Sequence, residues 1–545
     1  MRNFFATWTM VAVLSSAAAG QTAGRLVKLE VQPAKLDLSA PGEGRRVLVT
    51  GITQNGERVD LTSAAQLQPA GDIVRIEKDG YLYPAKEGET KLAISAGGQT
   101  AELPVTVSGL SKPPATSFLR DVMPVVNKVG CTSGICHGAA KGKNGLKLSL
   151  RGYDPDFDYR ALVYDMSGRR FNRSDPARSL MLAKPTQQVA HGGGLRVELG
   201  SRYYQTLLGW ISAGVPFGDP AKDKVKALEV LPSDIFMAGP GRKQQVLALA
   251  HYPDGSVRDV TREAIFGSNT PTVADISADA VVSGQRKGEA ALLVRYEGKF
   301  VTVPITVLDP RPGFVWTALP QYNYIDRYID EKLKRLKIQP SPPVGDAEFL
   351  RRVSLDLTGL PSRPEEVRAF LSNSMDSRAK RACMIDRLMG RPEFVDHWAL
   401  KWGDLLQSNR KLLGDKGMWG FREWIRKSVS ANKPYDKMVR ELLTASGSTY
   451  ENPAANFFRA TREPKPTMEK TTQLFLGVRM VCAQCHDHPF EQWTQNNYYQ
   501  LAAFFAAVGL KPGFDSDEEI VYEKREDNEM THPKDGRVVE PRYLV

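Results

Sequence analysis

Asn55-Gly56-Glu57-Arg58-Val59-Asp60-Leu61-Thr62 and Asp254-Gly255-Ser256-Val257-Arg258-Asp259-Val260-Thr261 are one phrase written twice. Each opens on an Asn-Gly or Asp-Gly pair, a strong short-range turn signal, and runs into the alternation of a half-buried strand. Working outward, Leu29-Glu30-Val31-Gln32-Pro33 is matched by Leu228-Glu229-Val230-Leu231-Pro232, and Leu103-Pro104-Val105-Thr106-Val107 by Val303-Pro304-Ile305-Thr306-Val307. Self-similarity of this kind marks one folded module used twice. Runs such as Arg46-Val47-Leu48-Val49-Thr50 and Lys91-Leu92-Ala93-Ile94-Ser95, punctuated by Asn55-Gly56, Asp79-Gly80 and Gly97-Gly98, predict an all-β sandwich over residues 26–108. The repeat predicts a second over residues 227–308. Neither copy shows a site, and His251, beside Pro253-Asp254-Gly255, reads as an ordinary loop residue.

Between the copies, after Lys112-Pro113-Pro114, residues 115–219 have a different character. The apolar spacing of Ser117 to Val126 predicts a short helix leading into Cys131-Thr-Ser-Gly-Ile-Cys136-His137. Tyr204, Leu207, Leu208 and Ile211 share one face of a closing helix that Gly214 stops. After Pro310 and Pro312 the period becomes helical. Ile325, Tyr328, Ile329, Leu333 and Leu336 form one face, Ser362-Arg363-Pro364-Glu365 reads as a capping box, and apolar helices continue through residues 320–510. Thr467 is expected to begin the helix that delivers Cys482, and Tyr498 to Val508 to form another. Residues 511–545 read as a linker toward a further domain.

Val481-Cys482-Ala483-Gln484-Cys485-His486-Asp487-His488 holds two of the five cysteines and two of the seven histidines. Cys-x-x-Cys-His is the attachment pattern of c-type haem, with thioether bonds to both thiols and the adjacent histidine on iron. Cys131, Cys136 and His137 repeat it with four residues between the thiols instead of two. A disulfide, a zinc site and redox thiols are the alternatives at Cys482 and Cys485. Zinc lacks a second, distant ligand pair, and thioredoxin-type thiols lack their βαβ setting. His397, in Asp396-His397-Trp398-Ala399-Leu400-Lys401-Trp402, is the candidate distal ligand for the second cluster, with Met468 and Met480 as weaker options and His488 as a supporting group. Cys383, in an apolar helical stretch, reads as a buried free thiol.

Three resemblances accompany these readings. The repeated modules resemble bacterial immunoglobulin-like group 2 domains, which usually serve as spacers, adhesins or scaffolds. Cys131 to Gly138, Asn144-Gly145-Leu146-Lys147-Leu148, Ser179-Leu180-Met181-Leu182 and Leu208 to Gly214 resemble the Planctomycete cytochrome c domain family. That resemblance implies covalent haem on Cys131 and Cys136, with His137 proximal. It also places His191-Gly192-Gly193-Gly194 in a loop facing the distal side, making His191 the favoured sixth ligand over Met181. Arg351 to Pro361, Cys482 to Phe490 and Trp493-Thr494-Gln495 resemble the helical domain of unknown function that accompanies such cytochrome domains.

The fold class expected is therefore multidomain: two all-β immunoglobulin-like sandwiches flanking a small α-helical cytochrome c-like domain, followed by a mainly α-helical domain. Arg2, the apolar run Phe4 to Leu14 and Ala17-Ala18-Ala19 predict a signal peptide over residues 1–20, too short to span a bilayer. The mature chain is then secreted, periplasmic or at the cell surface, with no transmembrane segment. The net charge of +11 is compatible with an acidic redox partner protein or an anionic wall polysaccharide, and no nucleic-acid signature accompanies it. These observations lead to the expectation of an electron-transfer cytochrome with two haem c groups, more carrier than enzyme. A non-redox surface scaffold and a haem-dependent oxidoreductase acting on extracellular carbohydrate are the alternatives.

Overall fold

The computed structural model describes residues 25–544 apart from 113, 310, 312, 489, 490 and 492, so the signal peptide expected at residues 1–20 lies outside the described residues. The chain divides into two units, Met1–Val315 and Trp316–Val545.

In the first unit the repeat folds as two copies of one sandwich. One sheet of the first copy orders Leu26–Gln32, Leu48–Thr53 and Arg58–Asp60; the other orders Leu36–Leu38, Gln99–Val107, Gly88–Ala96 and Gln66–Pro69. The second copy reproduces both orders with Ala227–Leu231, Leu247–His251 and Val257–Asp259, and with Ile235–Met237, Lys299–Val307, Gly288–Tyr296 and Ile265–Ser268. Each has a parallel pair at the same place, Leu36 opposite Val105 and Ile235 opposite Ile305. Alternate strand residues point inward, so Leu92, Ile94, Leu103 and Val105 are buried in one core and Leu292, Val294, Val303 and Ile305 in the other. His251 is on a strand rather than in a loop, its Nε2 2.8 Å from Glu229 Oε2.

The duplicated phrase makes the contact between the copies. Asp60 and Asp259 each use Oδ1 to accept a turn N–H, from Thr62 at 2.9 Å and from Thr261 at 3.0 Å. Their Oδ2 atoms reach across. Asp60 accepts from the Gln245 N–H at 2.6 Å, Asp259 accepts from the Arg46 N–H at 2.9 Å, and Arg46 Nη1 donates to Gln245 Oε1 at 2.8 Å. Arg46 and Gln245 occupy equivalent positions in the repeat, so the contact is reciprocal, as in an isologous dimer interface.

The insert packs on the second copy. Lys128 Nζ donates to the Ala264 carbonyl at 2.7 Å, Asn127 Nδ2 to Glu297 Oε1 at 2.8 Å, and Tyr203 Oη to the Arg262 carbonyl at 2.8 Å. Its helices run Phe118–Val122, continued by Met123–Lys128, then Pro155–Val163 and Arg202–Ser212. Ser117, Asp154 and Ser201 accept backbone N–H groups at the three starts, a satisfaction of orphan donors visible in the residue types. Phe118, Val122, Leu162, Leu207 and the fully buried Trp210 form the core.

The second unit is mainly helical, from Tyr324–Arg335 to Gln495–Ala503, around Leu406, Leu413, Phe421, Ile425 and Phe457. Several boundaries move. The helix expected from Thr467 starts at Pro464, because proline fits a first helical turn, and the one expected to reach Val508 stops at Ala503. The cap before Pro364 is Arg363, whose N–H is accepted by Glu366 at 3.1 Å, while Ser362 pairs with Ser354. Residues 511–545 are more than a linker: Val508–Pro512, Glu519–Glu523 and Gly447–Ser448 form a sheet, and Met530 and Val539 pack into the core around Tyr498. Cys383 is exposed, not buried, because it falls on the outer face of the helix Ser377–Met389 whose inner face carries Met384 and Leu388.

Candidate haem-type site in the insert

Cys131 follows directly from the first helix of the insert. Gly130, at φ +85°, ends the helix, and the Cys131 N–H donates back to the Val126 carbonyl at 3.1 Å. The chain then winds tightly through Thr132 to Gly138, with the His137 N–H on the Cys131 carbonyl at 3.0 Å. Gly138 is required by space, since a Cβ there would lie 2.1 Å from the Thr132 carbonyl oxygen. The four-residue spacer is thus closed by backbone hydrogen bonds of its own.

Asn144 and Gly145 both have positive φ, and Lys143 and Leu146 exchange N–H and C=O bonds across them, the geometry of a type I′ turn. That turn presents the Leu146 carbonyl to His137 Nδ1 at 3.1 Å. On the other side, His191 Nδ1 meets the Gly194 carbonyl at 3.0 Å, and Gly193 leaves room for the ring, since a Cβ there would lie 2.7 Å from His191 Cε1. A carbonyl only accepts, so each Nδ1 carries the hydrogen and the neutral ring keeps its lone pair on Nε2. Burial pushes the His137 imidazole below its ordinary range, with His191 adding to the shift against the opposing Leu146 bond.

The two rings have centroids 6.5 Å apart and planes 14° from parallel, and both line one cavity of about 290 Å³. Two imidazole nitrogens about 2.0–2.1 Å from one ion, plus about 1.1 Å from nitrogen to ring centre on each side, place centroids about 6.3 Å apart. The centroid separation of His137 and His191 is thus of the size that two imidazoles sharing one metal would have. Val126, Leu146, Leu148, Leu162, Met181 and Leu207 supply apolar walls, and no carboxylate lines the cavity among the described residues. Cys131 lines it too, its thiol pushed up to about 11 by burial. Cys136 is partly buried on the same turn and is not among the lining residues. Met181 donates its N–H to the Arg170 carbonyl and packs against the insert core.

The second cluster is built differently. Cys482 is partly buried and Cys485 exposed on the turn Val481–Gln484, which the fully buried Ala483 anchors beside Met468, Met480 and Tyr498. Tyr499 Oη and Gln495 Nε2 both donate to the Gln484 carbonyl. His486 Nδ1 is 2.5 Å from the Asp487 carbonyl, and the buried His488 donates its N–H to the Trp493 carbonyl at 2.7 Å. His397 does not join them. It lies on the helix Pro392–Leu405 against Gly359, where a Cβ would come within 2.5 Å of its Nδ1. The helix face that sequence spacing assigned to a haem pocket is used to pack helix on helix. A groove that Gln484 lines also takes in Glu463, Lys465, Glu469 and Met530, a polar surface with two carboxylates. A further histidine packs in the same region: His532 is buried, its ring 5.3 Å from that of Tyr499, the residue that bonds the Gln484 carbonyl.

Sequence reasoning missed Arg170, which is buried and lines the first cavity with Lys143, Arg169 and Lys184. The pair Arg169-Arg170 after Gly168 is the only trace it leaves in the sequence.

Residues 324–509 match the family model PSCyt2, described as a protein of unknown function (DUF1549). The match lies within the helical segment expected at residues 320–510. No curated protein matches the chain. Solved structures that resemble it include the S-layer protein SbsC, domains 5–6, at 13% identity over 52% of this chain and 99% of that one, with a TM-score of 0.23. The surface layer protein SbsC, domains 4–9, resembles it at 12% identity over 52% and 31%, with a TM-score of 0.22. Among the described residues no helix is long and apolar enough to cross a membrane.

Proposed function

We propose that this chain is an extracytoplasmic c-type haem protein whose insert, residues 115–219, holds one haem between His137 and His191 for electron exchange with a redox partner. The observation that carries this reading is the pair of imidazoles 6.5 Å apart on a cavity that Cys131 also lines. When bound, the haem supplies one-electron chemistry at iron. The chain's residues do the rest. The Leu146 and Gly194 carbonyls hold both rings in the tautomer that offers Nε2, and the apolar walls keep water from the ring faces. Two histidine ligands leave no coordination position for a substrate, which favours a carrier over an oxidoreductase. The reading places haem at the longer spacer, where Cys131, His137 and His191 line one cavity.

A second reading, a non-redox cell-surface scaffold that binds wall or polysaccharide ligands, rests on the two sandwiches being locked to each other through Asp60 and Asp259. It requires no haem. Producing the exported chain with the cytochrome c maturation machinery and recording a pyridine haemochrome spectrum separates the two. The haem reading expects covalent haem that survives Cys482→Ala and falls on Cys131→Ala. Absence of haem in the wild-type protein supports the scaffold.

A further inference from the structure

Arg170 is 8% exposed, lines the cavity, and has no carboxylate within ion-pair distance among the described residues. Guanidinium stays charged in proteins, and burying it is costly; burial lowers the pKa of Arg170, and the charge of Asp165, not in ion-pair contact, offsets that only in part. Three of its N–H groups are taken by backbone: Nη1 donates to the Ala161 and Asp165 carbonyls, and Nη2 to the Gly145 carbonyl, each at 2.9 Å. The Nε–H and one Nη2–H are left over, adjacent donors able to fork onto a single carboxylate. Three further cations line the same cavity. Lys143 and Arg169 are exposed at its mouth, and Lys184 Nζ donates to the Ala190 carbonyl. The lining thus combines apolar side chains with four cations, and no carboxylate lines it among the described residues.

We infer that Arg170 is the anion-recognition residue of this cavity, receiving a carboxylate of the bound macrocycle on its two free N–H donors, with Lys143 and Arg169 assisting at the mouth. The inference rests on the haem reading of the same site and adds to it the group that fixes which way the macrocycle enters. Arg170 has a positioning role as well. Its Nη2 bond to Gly145 holds the turn whose next carbonyl, Leu146, orients His137. A macrocycle carboxylate at Arg170 and a histidine held through the Arg170-anchored turn would then be set by one side chain.

The test uses the full-length chain made without the maturation machinery, titrated with iron mesoporphyrin, which lacks vinyl groups and so cannot attach covalently. Its dimethyl ester serves as the uncharged comparison. The expected result is that the diacid binds at least tenfold more tightly than the diester, as read from the Soret band. Arg170→Lys should keep part of that preference and Arg170→Met should reduce it to near unity. Because Arg170→Met could disturb folding through the three carbonyls, Arg169→Gln/Lys143→Gln gives an independent reading and should lower the diacid preference by a smaller factor. Equal binding of diacid and diester by the wild-type chain overturns the inference while leaving the haem site standing. Failure of both to bind overturns the haem reading itself.

Discussion

His137 and His191 stand with ring centroids 6.5 Å apart, although 54 positions separate them in the chain and each is oriented by a different loop carbonyl. Replacing one should therefore change coordination without dismantling the domain. His191→Ala, loaded with haem, is expected to move from a low-spin to a high-spin spectrum and to gain binding of added imidazole. His137→Ala should lower the yield of attached haem. Identical low-spin spectra for wild type and His191→Ala would remove His191 from the site.

Gly138 offers a sharper test of the Cys131 turn. A methyl group there would press on two backbone oxygens, at 2.1 Å from Thr132 O and 2.9 Å from Ser133 O, and neither can move aside as a side chain would. Gly138→Ala should destabilise the first unit by about 2–3 kcal/mol and reduce haem attachment. Chemical denaturation reads the first and haem staining the second. An unchanged midpoint would mean that the turn is looser than described.

The reciprocal contact between the sandwiches predicts that Asp60→Ala and Asp259→Ala behave alike. Each removes an acceptor from a turn N–H and from a backbone N–H of the other copy, so each should cost about 1–3 kcal/mol. A melt in which one substitution shifts the midpoint and the other does not would contradict an equivalent role for the two aspartates.

Glu297 gives the first unit a pH dependence. Burial raises its carboxyl to about 7, against the Asn127 hydrogen bond and the charge of Arg295, which lower it, and with Asp158 raising it further. The folded state thus holds a proton that the unfolded chain has released by about pH 5. Stability is lost as pH rises from about 4.5 to about 7, by about 1–3 kcal/mol once screening by nearby water is allowed for. Glu297→Gln should flatten that slope. A wild-type melting temperature that does not fall across this window would rule the coupling out.

Thiol labelling follows from exposure and charge. The thiolate is the reactive form, and Cys131 is half-buried with its thiol pushed up to about 11 by desolvation, while Cys383 and Cys485 are exposed. In reduced, haem-free protein at pH 8, Cys383 and Cys485 should react at least ~10-fold faster than Cys131. Mass spectrometry of quenched samples distinguishes the sites, and fast labelling of Cys131 would mean that the cavity wall opens.

Much of the fold is written in local signals. Asn55-Gly56 and Asp254-Gly255 mark equivalent turns, the alternation of Lys91 to Ser95 gives a strand with Leu92 and Ile94 inward, and Ser117 and Ser201 start the helices they cap. Local pattern and packing part company at three places. Cys383 sits in an apolar stretch that nevertheless turns it outward. His397 has tryptophan neighbours that suggested a cofactor pocket, yet it packs at Gly359. Residues 511–545 looked like a linker because their strands are too short to announce themselves, and pairing with Gly447–Ser448 is what makes them structure.

The sequence alone determined the residue types of the candidate site: cysteines followed by histidine, an Asn-Gly turn and a histidine before three glycines. Each is a local choice of backbone conformation or donor chemistry, and local choices are readable one stretch at a time. Only the tertiary structure decided that Cys131 and His137 share a cavity with His191. It also decided that Asp60 and Asp259 bind each other's copy and that Arg170 is buried against the cavity with no carboxylate in ion-pair contact among the described residues. Those are relations between distant segments, fixed by burial and by the balance of charge in a shared space, and no spacing rule along the chain contains them.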